Sequence, residues 1–230
     1  MSKKFPVFLG LITVFLLPLL TLILYPFGYS VTLASYKILS AVSAVICIIT
    51  GYMLKNYTPD KTDRILLSLL PVFQFINATI YISKSKSLIT AVFMSICFIM
   101  CAAISEKSIN SDKTKIFSVM TSSLLFVAFV LVSFVTVFFG SFSENMIVKS
   151  AVSPNGKYCA EVIDSDDGAL GGDTFVQVRK YKRLNLLVLR IGKRPELIYR
   201  GEWGEYETME IKWLNDNSLL INSTEYNIST

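Results

Sequence analysis

Residues 116–163 read IFSVMTSSLLFVAFVLVSFVTVFFGSFSENMIVKSAVSPNGKYCAEVI, and the change of texture inside them decides the fold. Ile116–Ser143 carries no charged residue. A helix needs about 20 apolar residues to cross a hydrocarbon core, and this run exceeds that. After it the period changes. Between Lys157 and Ile163, Tyr158, Ala160 and Val162 alternate with Cys159 and Glu161, the two-residue period of a strand with one buried face. Ser153-Pro154-Asn155-Gly156 is a turn, with proline fixing φ at its second position and glycine at its fourth. A membrane segment thus gives way to β structure within a few residues.

The whole chain divides at the same place. Residues 1–140 hold 11 Lys/Arg and 4 Asp/Glu, whereas residues 141–230 hold 11 and 13. The chain average of 17% charged residues therefore describes neither part. A soluble domain averages about 25%, so the composition excludes both a single soluble globule and a disordered chain. The net charge of +5 combines an excess of basic residues in the first part with an excess of acidic ones in the second. It is no argument for nucleic acid, which requires basic residues clustered on one folded face.

Further charge-free runs occur at Phe5–Tyr36, Ile38–Leu54, Ile65–Ser83 and Ser87–Ser105. We read five transmembrane helices at about residues 5–25, 33–54, 65–83, 87–105 and 116–139, with Lys37 snorkelling at the outer end of the second. The first follows Met-Ser-Lys-Lys, which resembles the basic start of a signal peptide. Its run is too long for one and lacks a small-x-small cleavage site, so it reads as an uncleaved span. Pro26, Gly28 and Ser30 make the turn to the second span. Pro18 and Pro71 fall inside spans and are expected to kink them. With the N-terminus inside, Lys3, Lys4, Lys55, Lys61, Arg64, Lys107, Lys113 and Lys115 face the cytoplasm, against Lys37, Lys84 and Lys86 outside. The polar part, residues 141–230, is then extracytoplasmic.

Few chemical groups stand out in the membrane part. Gln74 and Asn77 share one face of the third span, either lining a pathway or bonding between helices. No Asp, Glu or Arg lies deep in a span, which counts against an ion pump. Two inner loops both carry Asp-Lys-Thr, at Asp60 and Asp112, where Asp and Thr suit helix N-caps. Cys47, Cys97 and Cys101 lie in apolar runs and read as packing residues. The chain has no histidine, which excludes Ser-His-Asp and Cys-His catalysis and histidine-ligated zinc.

The polar part reads as a small antiparallel β-sheet or sandwich. Strands are expected at Met146–Val152, Lys157–Ile163, Thr174–Tyr181, Glu196–Arg200, Thr208–Leu214 and Leu219–Asn222, followed by a last short strand, while Leu184–Ile191 reads as either an inner strand or a short helix. Tyr158, Phe175, Tyr181, Tyr199, Trp203, Tyr206 and Trp213 form the expected aromatic core. Asp164–Asp173 reads as an acidic, glycine-rich loop. Its Asp164, Asp166, Asp167 and Asp173 either ligate Ca²⁺, which takes 6–8 oxygens, or make a solvated hairpin loop. The spacing is not that of an EF-hand. Glu202, Glu205, Glu207 and Glu210 surround Trp203 and Tyr206, an arrangement suited to a charged strand with Trp203 inside or to binding a peptide or glycan. Cys159 is expected to face outward as a free thiol.

The strings SPNGKY (153–158), DSDDGALGGDT (164–174) and IKWLNDNSLLIN (211–222) resemble a group of uncharacterised bacterial membrane proteins. These end in an extracytoplasmic domain with the pattern SPDGKY…GGAT…IKWxDNxTVxIN. The resemblance covers residues 152–228 and implies no activity; members often carry fewer than five spans. The sequence thus predicts a multi-pass protein of a bacterial cell membrane that is not an enzyme. Its expected partners are the lipid bilayer and an envelope or membrane protein, with no nucleic acid. No cofactor is expected beyond a candidate Ca²⁺, and no residue is assigned a catalytic role. The alternative is an accessory subunit of a membrane transport or export system.

Overall fold

The computed structural model describes residues 5–56, 58–140, 144–166, 168, 171–181 and 184–228. Two units emerge: Met1–Ile23 with Leu33–Phe139, and Leu24–Thr32 with Gly140–Thr230.

The first unit is helical, with α1 (Phe5–Leu24), α2 (Tyr36–Met53), α3 (Lys61–Ser68), α4 (Leu70–Ser85), α5 (Leu88–Ser108) and α6 (Asp112–Phe138). Five stretches are long and apolar enough to cross a membrane: Phe8–Phe27, Tyr36–Met53, Lys61–Ser85, Leu88–Ser108 and Asp112–Phe138. Local chemistry sets several of their ends. The Ser35 hydroxyl caps α2 by accepting from the Ile38 N–H, and Asp60 Oδ1 caps α3 by accepting from the Asp63 N–H at 2.9 Å. Asp112 instead opens α6 just after its N-cap, Ser111. The two expected proline kinks differ. α1 runs unbroken through Pro18. The third span breaks at Leu69, just before Pro71, which has no N–H to continue the helical ladder.

α5 is the centre of the bundle and packs against α2, α3, α4 and α6. Its Met94, Cys97, Phe98 and Cys101 are buried. Large apolar side chains also cover the outside, including Ile38, Val45, Leu88, Ile99, Leu124 and Leu131. A water-soluble bundle would place polar residues there; helices in lipid keep an apolar exterior.

The second unit is a β-sandwich with an added sheet. β2 (Glu144–Val152), β3 (Tyr158–Asp166), β4 (Gly172–Lys180) and β7 (Glu196–Glu202) form one antiparallel sheet in that order. β8 (Ile211–Trp213), β9 (Ser218–Ile221) and β10 (Thr224–Asn227) form the second. Ala160, Val162, Val176 and Val178 pack against Met209, Trp213, Leu219, Ile221 and Ile228 between them. Cross-strand register makes this possible, since Ala160 faces Val178 and Val162 faces Val176. The buried Trp213 donates its indole N–H to the Ala151 carbonyl at 3.0 Å. At one end the expected turn Ser153–Gly156 meets the bend between β8 and β9, with the Asn155 N–H donating to Asp216 Oδ1 at 2.9 Å.

The third sheet draws an earlier segment into the β unit. β1 (Tyr29–Leu33), β6 (Leu189–Lys193) and β5 (Leu184–Asn185) pair in that order. The residues expected as a turn between spans, Pro26 to Ser30, are thus a helical turn and the start of a strand. They belong to the β unit rather than to the membrane half. Alternation over so short a segment, flanked by two apolar runs, carries no readable period. Two further expectations change. Strands reach into both ends of the region expected as the loop Asp164–Asp173, because β3 runs to Asp166 and β4 starts at Gly172. Leu184–Ile191 is a tight hairpin rather than a single strand or a short helix, closed by the Leu186 N–H donating to the Leu189 carbonyl at 2.8 Å.

Candidate functional site

The candidate site of the β unit lies where β4 begins and β7 ends. Gly172 pairs alongside Trp203, and a Cβ there would lie 2.7 Å from the indole Cδ1. Glycine therefore lets the ring lie over the strand. Trp203 is 57% exposed, which corrects the expectation that it sits in the core. Around it Asp173, Tyr199, Arg200, Glu202 and Glu205 line an open groove of about 750 Å³.

The groove's carboxylates are partly engaged. Glu205 Oε1 accepts from the Tyr199 hydroxyl at 2.7 Å and the Asn222 amide at 2.9 Å, while Oε2 accepts from the Glu202 N–H. Glu205 therefore ties β7, the following turn and β9's end together. Its hydrogen bond, then partial burial, raises the Tyr199 phenol above its ordinary pKa. Asp173 pairs with Arg200, whose guanidinium also lies over the Phe175 ring. Glu207 and Glu210 contribute backbone contacts instead: the Glu207 carbonyl accepts from Lys149 Nζ, and the Glu210 N–H donates to Asn222 Oδ1.

Among the described candidate cation ligands, Asp164 and Asp166 do not converge with Asp173. β3–β4 register pairs Asp164 with Thr174, Asp166 with Gly172, and Ser165 with Asp173. Asp164 and Asp166 therefore project from one face of the sheet and Asp173 from the other. Asp166 Oδ1 accepts from the Gly168 N–H, and Asp167 lies outside the described residues. Among the described residues no three Asp, Glu or Cys side chains come together in a metal-holding group. Asp164 is the odd member. Its Oδ1 is buried without a hydrogen-bond partner among the described residues. Burial first, then the charges of Asp166 and Glu207, raise its pKa. Asp164 in turn raises the Tyr206 phenol.

On the opposite face of the same sheet Glu161 is buried at 4% exposure. Gln177 Nε2 donates to its Oε2 at 2.9 Å, and Arg179 closes a 2.6 Å ion pair with Oε1. Cys159 lies on that face, as its position in the strand predicts, but it is buried rather than exposed. The alternation identifies the face; it does not reveal that the face is covered.

In the bundle, Gln74 and Asn77 are both buried on α4. Gln74 Nε2 meets Met94 Sδ at 3.7 Å. Neither polar atom of the Asn77 amide has a partner among the described residues, nor do the buried hydroxyls of Thr90 and Ser133. One cluster had no sequence signal. The Cys47 thiol on α2 lies within hydrogen-bonding reach of Cys97 and Cys101 on α5. The spacing of four relates only the latter two, and Cys47 joins them through helix packing.

Comparison with family models, curated proteins and solved structures finds no match.

Proposed function

We propose that this chain is a multi-pass protein of the cell membrane that holds its β unit on the extracytoplasmic side for interaction or sensing, without catalysis. The observation that carries the reading is the pairing of β1 with β6. β1 follows the first span and β6 follows the fifth. Strands can pair only on one side of a bilayer, and five spans bring both segments to the same side. The lysine-rich loops favour the opposite side as cytoplasmic. Strand pairing supports one shared side for the two segments, and charge patterning supports that side being extracytoplasmic.

The groove around Trp203 is the surface that supports an interaction role. An exposed, positioned indole ringed by carboxylates suits a cationic segment of an envelope or membrane protein. The engagement of Glu205 and Asp173 within the fold supports binding over catalysis. The resemblance of residues 152–228 to the terminal domains of small bacterial membrane proteins belongs to the same proposal.

A second reading, an accessory subunit of a transport or export system, draws on the unpartnered amide of Asn77 inside the bundle. Site-specific photocrosslinking in intact cells separates the two. A photoreactive residue at position 202 should capture a protein that one at position 99, on the exposed side of α5, does not. Capture from position 99 alone would overturn the first reading in favour of the second.

A further inference from the structure

The β5–β6 hairpin carries the most exposed apolar tip of the β unit. Leu187 is 97% exposed, and Leu184, Leu186 and Val188 beside it are exposed as well. Exposed apolar clusters of this kind mark interaction sites. Basic residues flank the tip. Eight of the eleven Lys/Arg in residues 141–230 fall between 179 and 200, with Glu196 the one acid among them. Of these, Lys180, Arg190, Lys193 and Arg194 are exposed.

Chain connection fixes where this hairpin lies. The Arg194 N–H donates to the Gly28 carbonyl at 2.8 Å. The Arg194 guanidinium lies 4.1 Å from the centre of the Tyr25 ring and donates to the Tyr25 carbonyl. Tyr25 immediately follows α1 and falls within the first apolar stretch, Phe8–Phe27. At the other end of β6 the Thr32 hydroxyl donates to the Arg190 carbonyl. Thr32 precedes the start of α2, Tyr36, by four residues, which span at most about 14 Å when extended. Both ends of β6 are therefore tied to chain positions within a few residues of a span. Chain length thus keeps both ends of the strand near the ends of spans, and its hairpin continues past Thr32, beyond the Leu33 end of β1.

We infer that the β5–β6 hairpin is a membrane-surface anchor: Leu186, Leu187 and Val188 enter the interfacial layer of the bilayer that holds the helices, and Arg190, Lys193 and Arg194 meet anionic headgroups. The arrangement follows the rules of interfacial segments, with an apolar tip below the headgroups, basic residues among them and a tyrosine at the boundary. The inference rests on the five helices spanning a bilayer. It adds that the β unit is held against that bilayer rather than free above it.

The test uses the full chain in phosphatidylcholine vesicles, with and without phosphatidylglycerol, carrying a nitroxide on Leu187→Cys. Asn217→Cys, in the exposed turn at one end of the sandwich, serves as the solvent control, and Val130→Cys in α6 as the membrane control. The native cysteines are replaced by serine or alanine. The label at 187 should be reached by oxygen and severalfold less by a water-soluble nickel complex than the label at 217. Adding phosphatidylglycerol should deepen that protection. Equal nickel access at 187 and 217, with 130 protected, overturns the anchor while leaving the spans intact. Nickel access at 130 overturns the spanning reading itself. Protection at 187 that disappears as the protein is diluted in lipid means that a second copy covers the tip, and also overturns the anchor. Should Leu187→Cys fail to fold, Leu187→Trp read by brominated-lipid quenching above the Trp203 and Trp213 background gives the same discrimination.

Discussion

Two buried polar side chains, Asn77 in the bundle and Glu161 in the sandwich, are treated in opposite ways. Both are almost fully buried. Glu161 has each carboxylate oxygen engaged, by Arg179 and by Gln177, across adjacent strands. Asn77 has no partner for either end of its amide among the described residues. The difference follows from what surrounds each group. A strand offers a neighbour directly opposite and others diagonally, so one carboxylate reaches two partners in register. A helix inside an apolar bundle offers mostly methyl groups. A buried charge without partners would not persist in the fold, whereas a neutral amide costs less and can remain.

Removing Glu161 should have the largest effect. Glu161→Ala leaves Arg179 confined without its counter-charge, and the sandwich should lose roughly 3 kcal/mol, read by thermal unfolding of the full chain in detergent. A loss within error would mean that solvent reaches Arg179 and that the pair contributes nothing.

Glu205→Ala should cost about 1 kcal/mol by the same measure, because its donors are closer to water. It should also let the Tyr199 phenol ionise at lower pH, since the hydrogen bond to Glu205 is the main cause of its raised pKa. Ultraviolet titration of the phenols checks this, and an unchanged curve would contradict the assigned bond.

Asn77→Leu tests the other side of the comparison. Filling the site with an apolar side chain of similar volume should stabilise the bundle by up to about 1 kcal/mol, measured by unfolding in mixed micelles. A destabilised bundle would show that the amide is satisfied and that the contrast with Glu161 is false.

The smallest effect is expected at Asp164. Its raised pKa means that the folded chain holds this proton more tightly than the unfolded chain. The ionised carboxylate therefore costs stability, fully above the raised value, and the cost fades as pH falls through it toward the ordinary 3.8. Asp164→Asn should raise the melting temperature at neutral pH, with the gain vanishing in acid. A gain that persists unchanged at low pH would assign the effect to packing instead.

Much of this fold is legible in the chain. The spans follow from charge-free length alone, and β3 and β4 follow from alternation at Tyr158–Val162 and Phe175–Arg179. What escapes the sequence is what long-range pairing creates. Tyr29–Leu33 becomes a strand only because β6, some 160 positions later, offers it an edge. Cys159 is placed on the correct face by its period, but period does not report that the second face is also covered. Trp203 reads as a core residue because tryptophans usually are; its exposure depends on Gly172 making room beneath it. The acidic candidates fail to converge because strand register sends Asp164 and Asp173 to opposite faces, and register is not readable from a glycine-rich segment expected to be a loop.

The central claim is that the β unit lies on the extracytoplasmic side, opposite the loops rich in lysine. Impermeant maleimide labelling of single-cysteine chains in intact cells tests it directly, on a background freed of the four native cysteines. Asn217→Cys in the β unit should label without lysis, and Lys61→Cys at the start of α3 only after lysis. Labelling of Lys61→Cys in intact cells, with Asn217→Cys protected until lysis, would contradict the account.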